Sequence, residues 1–268
     1  ARRELALAAK LDLIRYHKWI WVPDERGGGR FNVQRAAADY RDALAGYGFD
    51  AKTAPIEESA QTLNATGIRE ELLAAIDDWA LHEHQADVRE RLLAVNRAAD
   101  ANPRMSRLRE PALWTDSPTV LALAAEPLGP NDSPEAVVLL SELIRRTGRD
   151  PAAFLESARQ RSPDNFELAV LHYQAEYRAN RERTALGPLE AARALRPENP
   201  TVWSNLAILY SLDGRPAAAE QACRRAIELD PNTGVFRYNL GLILSPRDRE
   251  AAPVAYAEGV RVDPNYAP

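Results

Sequence analysis

Apolar and polar residues follow a helical period along most of the chain, most regularly at 200–233, PTVWSNLAILYSLDGRPAAAEQACRRAIELDPNT. Trp203, Leu206, Ala207 and Tyr210 recur at helical spacing, and so do Ala219, Cys223 and Ala226. Asp213-Gly214 interrupts the pattern and Asp230-Pro231 ends it, which predicts two short helices joined by a tight turn. The unit returns. Pro163, Pro197, Pro231 and Pro264 fall at intervals of 34, 34 and 33 residues (197−163, 231−197, 264−231). Asn205-Leu206 comes back as Asn239-Leu240, and Gly241 takes the place of Ala207. Ala252, Tyr256 and Gly259 repeat the second helix if the turn near Ser245-Pro246 is one residue shorter. One such hairpin cannot bury its own apolar face, whereas stacked hairpins can.

The same pattern weakens towards the N-terminus. At 164–197 the second helix fits (Ala185, Leu189, Ala192, Pro197), but His172, Tyr173 and Glu176 stand where Leu, Gly and Tyr are expected. A divergent unit at about 130–163 has Val137, Val138, Leu140 and Leu143 in its first helix and Phe154, Leu155 and Ala158 in its second. Further upstream, residues 2–18 place Leu5, Ala8 or Ala9, Leu11 or Leu13, and Tyr16 on one side of a helix. The segment after Trp19, with Pro23 and Gly27-Gly28-Gly29, reads as a loop. Residues 33–45 read as a helix capped by Asn32 and ended by Gly46 and Gly48, and Pro55 opens another. Ile68, Leu72, Ile76 and Trp79 mark the face of a longer one. Asp87 is the expected cap of the next, with Val88, Leu92, Val95 and Ala99 inward, and Asn102-Pro103 starts another. Ser117-Pro118, Ser133-Pro134, Asp150-Pro151 and Asn199-Pro200 each read as a cap followed by proline at a helix start. No alternation is long enough to build a sheet. The expectation is an all-α protein, with an irregular helical segment at 1–125 and an array of about four repeats at 126–268, the first two divergent.

The 200–233 unit resembles a tetratricopeptide repeat, in which a Trp-x2-Leu-small-x2-Tyr helix packs on an Ala-x3-Phe-x2-Ala helix and a proline closes the unit. Cys223 at the Phe place is the one departure. That resemblance implies an α-solenoid with a concave face built from each repeat's first helix, at its second, fifth, sixth, ninth and twelfth places. Here these are Thr201, Ser204, Asn205, Ile208 and Ser211, then Val235, Tyr238, Asn239, Leu242 and Ser245. Asn205 and Asn239 are placed to hydrogen-bond the backbone of an extended peptide, or simply to stabilise the array. No Lys or Arg stands at the second, fifth or ninth place, which argues against capture of a peptide carboxylate. The phrases LAAKLDLIR, AAADYRDALAGYGFD, IREELLAAIDDWAL and LLAVNRAADANPRMSRLRE are similar to the region between kinase and repeats in planctomycete serine/threonine protein kinases. That second resemblance implies the regulatory region of a kinase whose catalytic domain lies upstream. The kinase motifs themselves are absent here, and Gly48-Phe49-Asp50 is a superficial echo of one.

Composition adds exclusions. With 46% hydrophobic and 27% charged residues the chain has ample core. A net charge of −5 does not favour a nucleic-acid partner. A single cysteine rules out an internal disulfide framework, and with no long apolar run and no visible signal peptide the expectation is cytoplasmic, with a membrane-associated parent protein as the alternative. The chain starts with Ala1 and ends in Asp263-Pro264-Asn265-Tyr266-Ala267-Pro268, which normally opens another repeat; a fragment is expected, with weak self-association through the exposed last repeat.

Candidate chemistry is sparse. The glycine run lacks the strand before it and the Lys-Ser/Thr after it that a phosphate loop needs. His82 and His84, two apart on a helix, face different ways, so a solvated helix end is preferred to a metal site. Asp77-Asp78 reads as a solvated face rather than an acid–base pair, Trp19, Trp21 and Trp114 as interhelical packing rather than a ligand pocket, and Cys223 as a small buried hydrophobe. No cofactor or metal is expected. The reading is a non-catalytic interaction region that binds protein or peptide in its groove. Its rivals are a structural, self-associating spacer and an enzyme with an unrecognised site in the N-terminal half.

Overall fold

The computed structural model describes residues 2–23, 29–31, 33, 35–50, 53–128 and 134–263, with backbone alone at 21–23, 29 and 30. The expected caps Asn32 and Ser133, Gly27 and Gly28, the side chain of Trp21, and residues 264–268 lie outside that description. The described chain is helical apart from one two-stranded hairpin, and it falls into two compact units.

The first unit comprises Ala1–Lys18 and Val33–Arg161. It contains α1 (Arg2–His17), α2 (Ala36–Tyr47), α3 (Ile56–Asn64), α4 (Arg69–His82), α5 (Ala86–Ala99) and α6 (Pro103–Leu108). A 3₁₀ turn (Pro111–Thr115), α7 (Ser117–Ala125), α8 (Pro134–Arg146) and α9 (Ala152–Arg161) follow. Helix α4 is its axis. Leu72, Leu73, Ala75, Ile76, Trp79 and Ala80 are all buried, and α1, α2, α3, α5 and α8 pack on them. Leu11 and Tyr16 of the expected α1 face are buried, together with Leu7 and Ile14, whereas Leu5 and Leu13 are 68% and 49% exposed. Apolar residues surround α1 almost evenly, so only packing selects its inner face.

Helix starts follow local chemistry, with shifts. Asn102 Oδ1 accepts from the amides of Arg104 (3.0 Å) and Met105 (3.2 Å). The cap of α7 is Asp116 rather than Ser117: its Oδ1 accepts from Thr119 N at 3.2 Å. Asp87 lies within the first turn of α5 instead of capping it. Gly48, in the left-handed region at φ 105°, ends α2, so Gly48-Phe49-Asp50 is a helix terminus with Phe49 buried. The division between compact units falls after Arg161. Ala136, Leu139, Leu140 and Leu143 of α8 share a core with Leu81, Met105, Leu108 and Leu113, which draws the divergent pair α8–α9 into the first unit.

The second unit comprises Trp19–Asn32 and Ser162–Pro268. It holds β1 (Trp21–Pro23) and β2 (Gly29–Phe31), paired antiparallel with Trp21 opposite Phe31. Three helix pairs follow: α10 (Phe166–Arg178) with α11 (Glu182–Leu195), α12 (Pro200–Leu212) with α13 (Pro216–Leu229), and α14 (Gly234–Leu244) with α15 (Ala251–Val262). Successive pairs stack through α11 on α12 and α13 on α14. The repeat period is visible in the caps. Asn165, Asn199 and Thr233 stand at N-cap positions 34 residues apart (199−165, 233−199), and the two asparagines accept from Leu168 N (2.9 Å) and Val202 N (3.1 Å). It is visible again at the fourth place of the first helix. Trp203 Nε1 donates to the carbonyl of Pro197 at 2.7 Å, and Arg237, 34 residues on (237−203), donates to that of Pro231 at 2.5 Å.

Ala219, Cys223 and Ala226 of α13 are fully buried, as the seam requires. The Cys223 thiol donates to Phe236 O at 3.1 Å, and burial pushes it up to about 12. Ala252 and Gly259 of α15 face inward as expected, but Ala255 rather than Tyr256 is buried between them, and the connection at 245–250 is longer than the one at 213–215, not shorter. Gly234 and Gly259 meet backbone to backbone: a Cβ on Gly234 would stand 2.5 Å from Gly259 O.

Candidate functional site

Helix α4 of the first unit carries two adjacent carboxylates that the sequence places on a solvated face. Both are buried. Adjacent helical residues point about 100° apart, so each finds its own partners. Asp77 receives the Arg109 guanidinium two-pronged, Nε at 2.8 Å and Nη2 at 2.7 Å, and Asn96 Nδ2 at 2.9 Å. Arg109 also bonds Asp100 Oδ2 at 2.7 Å and Asn96 O at 3.3 Å. Asp78 pairs with Lys18, accepts from Tyr40 Oη at 2.5 Å and lies 3.7 Å from His82 Nε2. Burial pushes the Asp78 carboxyl up, but Lys18, His82 and Tyr40 outweigh it and leave it below the usual carboxylate range.

The expected solvated end at His82-Glu83-His84 is a second correction. His84 is exposed, but His82 is largely buried and Glu83 fully so, accepting from Trp79 Nε1 (3.0 Å) and Gln85 N (2.9 Å). No group of three His, Cys, Asp or Glu among the described residues could hold a metal. An apolar cleft of about 330 Å³ lies beside Arg41, Gly48, Phe49, Trp79, Glu83 and Val88. Of its two carboxylates, Glu83 is buried and bonded to Trp79 and Gln85, and Asp50 is exposed. Trp19 and Trp114 belong to different compact units.

In the second unit, the first-helix positions divide into two halves. Thr201, Ser204 and Asn205 of α12 and Val235 and Asn239 of α14 are buried; Ile208, Tyr238 and Leu242 are half-buried, and Ser211 and Ser245 exposed. Asn239 Nδ2 donates to Ser204 Oγ at 3.0 Å, a tie from one repeat to the next. Asn205 Nδ2 donates to the main-chain carbonyl of Trp19 at 2.8 Å. A side chain on a repeat helix here binds a main-chain carbonyl, and that carbonyl belongs to the protein's own turn at Trp19. Ile20, fully buried, joins Ala226, Val235 and Phe236. Phe31 lies edge-on to Tyr173 (6.2 Å) and Tyr177 (6.1 Å) of α10, with the Arg178 guanidinium 5.0 Å from its ring centre.

Sequence reasoning missed this docking. Its one trace was the poor fit of α10, where Tyr173 takes the small place of the repeat: that ring is fully buried, and burial raises its hydroxyl well above the usual range. Glu176, at the Tyr place, is bound by Arg181 at 2.7 Å and by Thr184.

The tetratricopeptide repeat family matches residues 200–233, the α12–α13 pair. Residues 200–233 are a tetratricopeptide repeat. Around it, the fold is similar to solved structures of MamA. One, MamA MSR-1 C2, is 18% identical with a TM-score of 0.50 and covers 65% of this chain and 99% of its own. Another crystal structure of MamA is 14% identical with a TM-score of 0.51, covering 62% and 97%. At these identities the likeness shows the fold alone, an α-solenoid of tetratricopeptide type. An uncharacterised protein, y4yS of Sinorhizobium fredii, is 27% identical over 123 residues, 46% of this chain and 66% of that relative, so the chain spans just under two thirds of its length. No helix among the described residues is long and apolar enough to cross a membrane.

Proposed function

We propose that the repeat array is a non-catalytic protein-interaction module that takes an extended protein segment along its first-helix face. The observation that carries this reading is the Asn205–Trp19 carbonyl bond: this face already binds a main chain through a side chain 186 residues away in sequence. Main-chain recognition gives affinity without demanding one sequence, and half-buried Ile208, Tyr238 and Leu242 supply apolar contact beside it. A photo-reactive residue at Leu242 tests it in the source cells, with one at exposed Glu228 on α13 as the comparison. The reading expects a defined cross-linked protein from Leu242 and none from Glu228. Equal yields at both positions, or none at either, would refute it.

Two finer readings attach to this one. The module serves a serine/threonine kinase encoded ahead of Ala1; this rests on phrases such as LAAKLDLIR and IREELLAAIDDWAL, and reading the gene upstream tests it. It also self-associates weakly through α15, where Val254 and Val260 are 59% and 45% exposed. Sedimentation of the parent and of Val254→Glu/Val260→Glu tests that: the parent alone should show concentration-dependent mass.

A further inference from the structure

We infer that residues 19–23 and 29–31 are a resident ligand in cis: they occupy the first-helix face of the array as a peptide would, and a partner binds by displacing them. The inference rests on the interaction reading above and names the partner's chemistry, an extended protein segment with a bulky aromatic–aliphatic pair.

Three observations on the second unit support it. The segment is out of sequence order, since it precedes α10 by more than a hundred residues yet touches all three first helices. Phe31 meets Tyr173 and Tyr177 of α10, the Trp19 carbonyl meets Asn205 of α12, and Ile20 clusters with Val235 and Phe236 of α14. Its hold has the form of ligand recognition, with one main-chain carbonyl read by an amide side chain and apolar side chains seated alongside. The fit is also incomplete. Thr201 Oγ1 and Asn239 Oδ1, both on the predicted groove positions and both buried, have no hydrogen-bond partner among the described residues. A buried polar atom left so costs about 1–3 kcal/mol. An incoming backbone, which carries an N–H for Asn239 Oδ1 as well as a C=O for Asn205, satisfies more of the face than the resident does.

Because the resident is tethered, it competes at an effective concentration on the order of millimolar. An added peptide of residues 17–23, HKWIWVP, should therefore bind the full chain poorly. Ile20→Asp puts a charge into the buried seat and weakens the resident without altering α12 or α14. Fluorescence anisotropy with labelled peptide should show at least about tenfold tighter binding to Ile20→Asp than to the parent. The gain should vanish in Ile20→Asp/Asn205→Ala. Ile20→Asp that keeps amide protection in α12–α15 but binds no better overturns the inference.

Should Ile20→Asp unfold the array, hydrogen exchange of Asn205→Ala decides. Faster exchange at 19–23 with α12–α15 unchanged supports a resident ligand. Equal loss across α12–α15 marks the segment as part of the array's core and overturns it. Peptide exchange as expected, together with failed cross-linking from Leu242, would sink the partner reading alone.

Discussion

His82 makes the first unit acid-sensitive in a window where few other groups titrate. Its imidazole ends α4 and is largely buried, and burial pushes it down from its ordinary 6.5 to about 4. Asp78 and Glu142 pull it up, while Lys18 and Arg145 push it down. With the folded value depressed, the unfolded chain takes the proton more readily between about 4 and 6.5. The contribution to stability is therefore full above 6.5 and lost as pH falls towards 4. At about 1.36 kcal/mol per unit the whole step approaches about 3 kcal/mol, of which about 2 kcal/mol is lost between about pH 7 and about pH 5. Ordinary carboxylates titrate mainly below this range. His82→Gln removes the step and leaves the other three histidines as a shared background. Urea unfolding of both proteins at the two pH values, with hydrogen exchange on α4 peptides identifying the first unit's transition, measures the difference. The parent should lose about 2 kcal/mol more than His82→Gln on acidification. Equal losses would show that His82 is not held neutral and would refute the buried Lys18–Asp78–His82 arrangement as the cause.

Arg109→Leu leaves Asp77 buried without its cation and should cost the first unit about 3–5 kcal/mol in urea unfolding, while Asp77→Leu/Arg109→Leu should recover much of that. Gly234→Ala forces a methyl onto Gly259 O, 2.5 Å away, and should lower the stability of α14–α15 by about 1–3 kcal/mol, seen as faster exchange confined to that pair. Ala219→Trp or Ala226→Trp, each at a fully buried seam position, should lower the melting temperature of the array through overpacking of about 1–3 kcal/mol; Ser211→Ala on the exposed end should not.

The sequence by itself determined the repeats. A tetratricopeptide pair is local: its two helices are joined by a few residues, and Ala219, Cys223 and Ala226 face their neighbours because helical spacing puts them there. The Asn199 cap, the Gly214 turn at φ 70° and the Pro197 carbonyl that receives Trp203 lie within one unit, so the period alone locates them. Only the tertiary structure decided the rest, because the partners are distant in the chain. Asp77 and Asp78 look like a wet helix face until Arg109, 32 residues on, and Lys18, 60 residues back, arrive to neutralise them in the core. Asn205 is a groove candidate by position, but its hydrogen bond to the Trp19 carbonyl depends on a contact across 186 residues, which no local pattern encodes. The irregularity of α10 was the one legible hint. A bulky Tyr173 sits where the repeat asks for a small residue because Phe31, from the other end of the chain, packs against it.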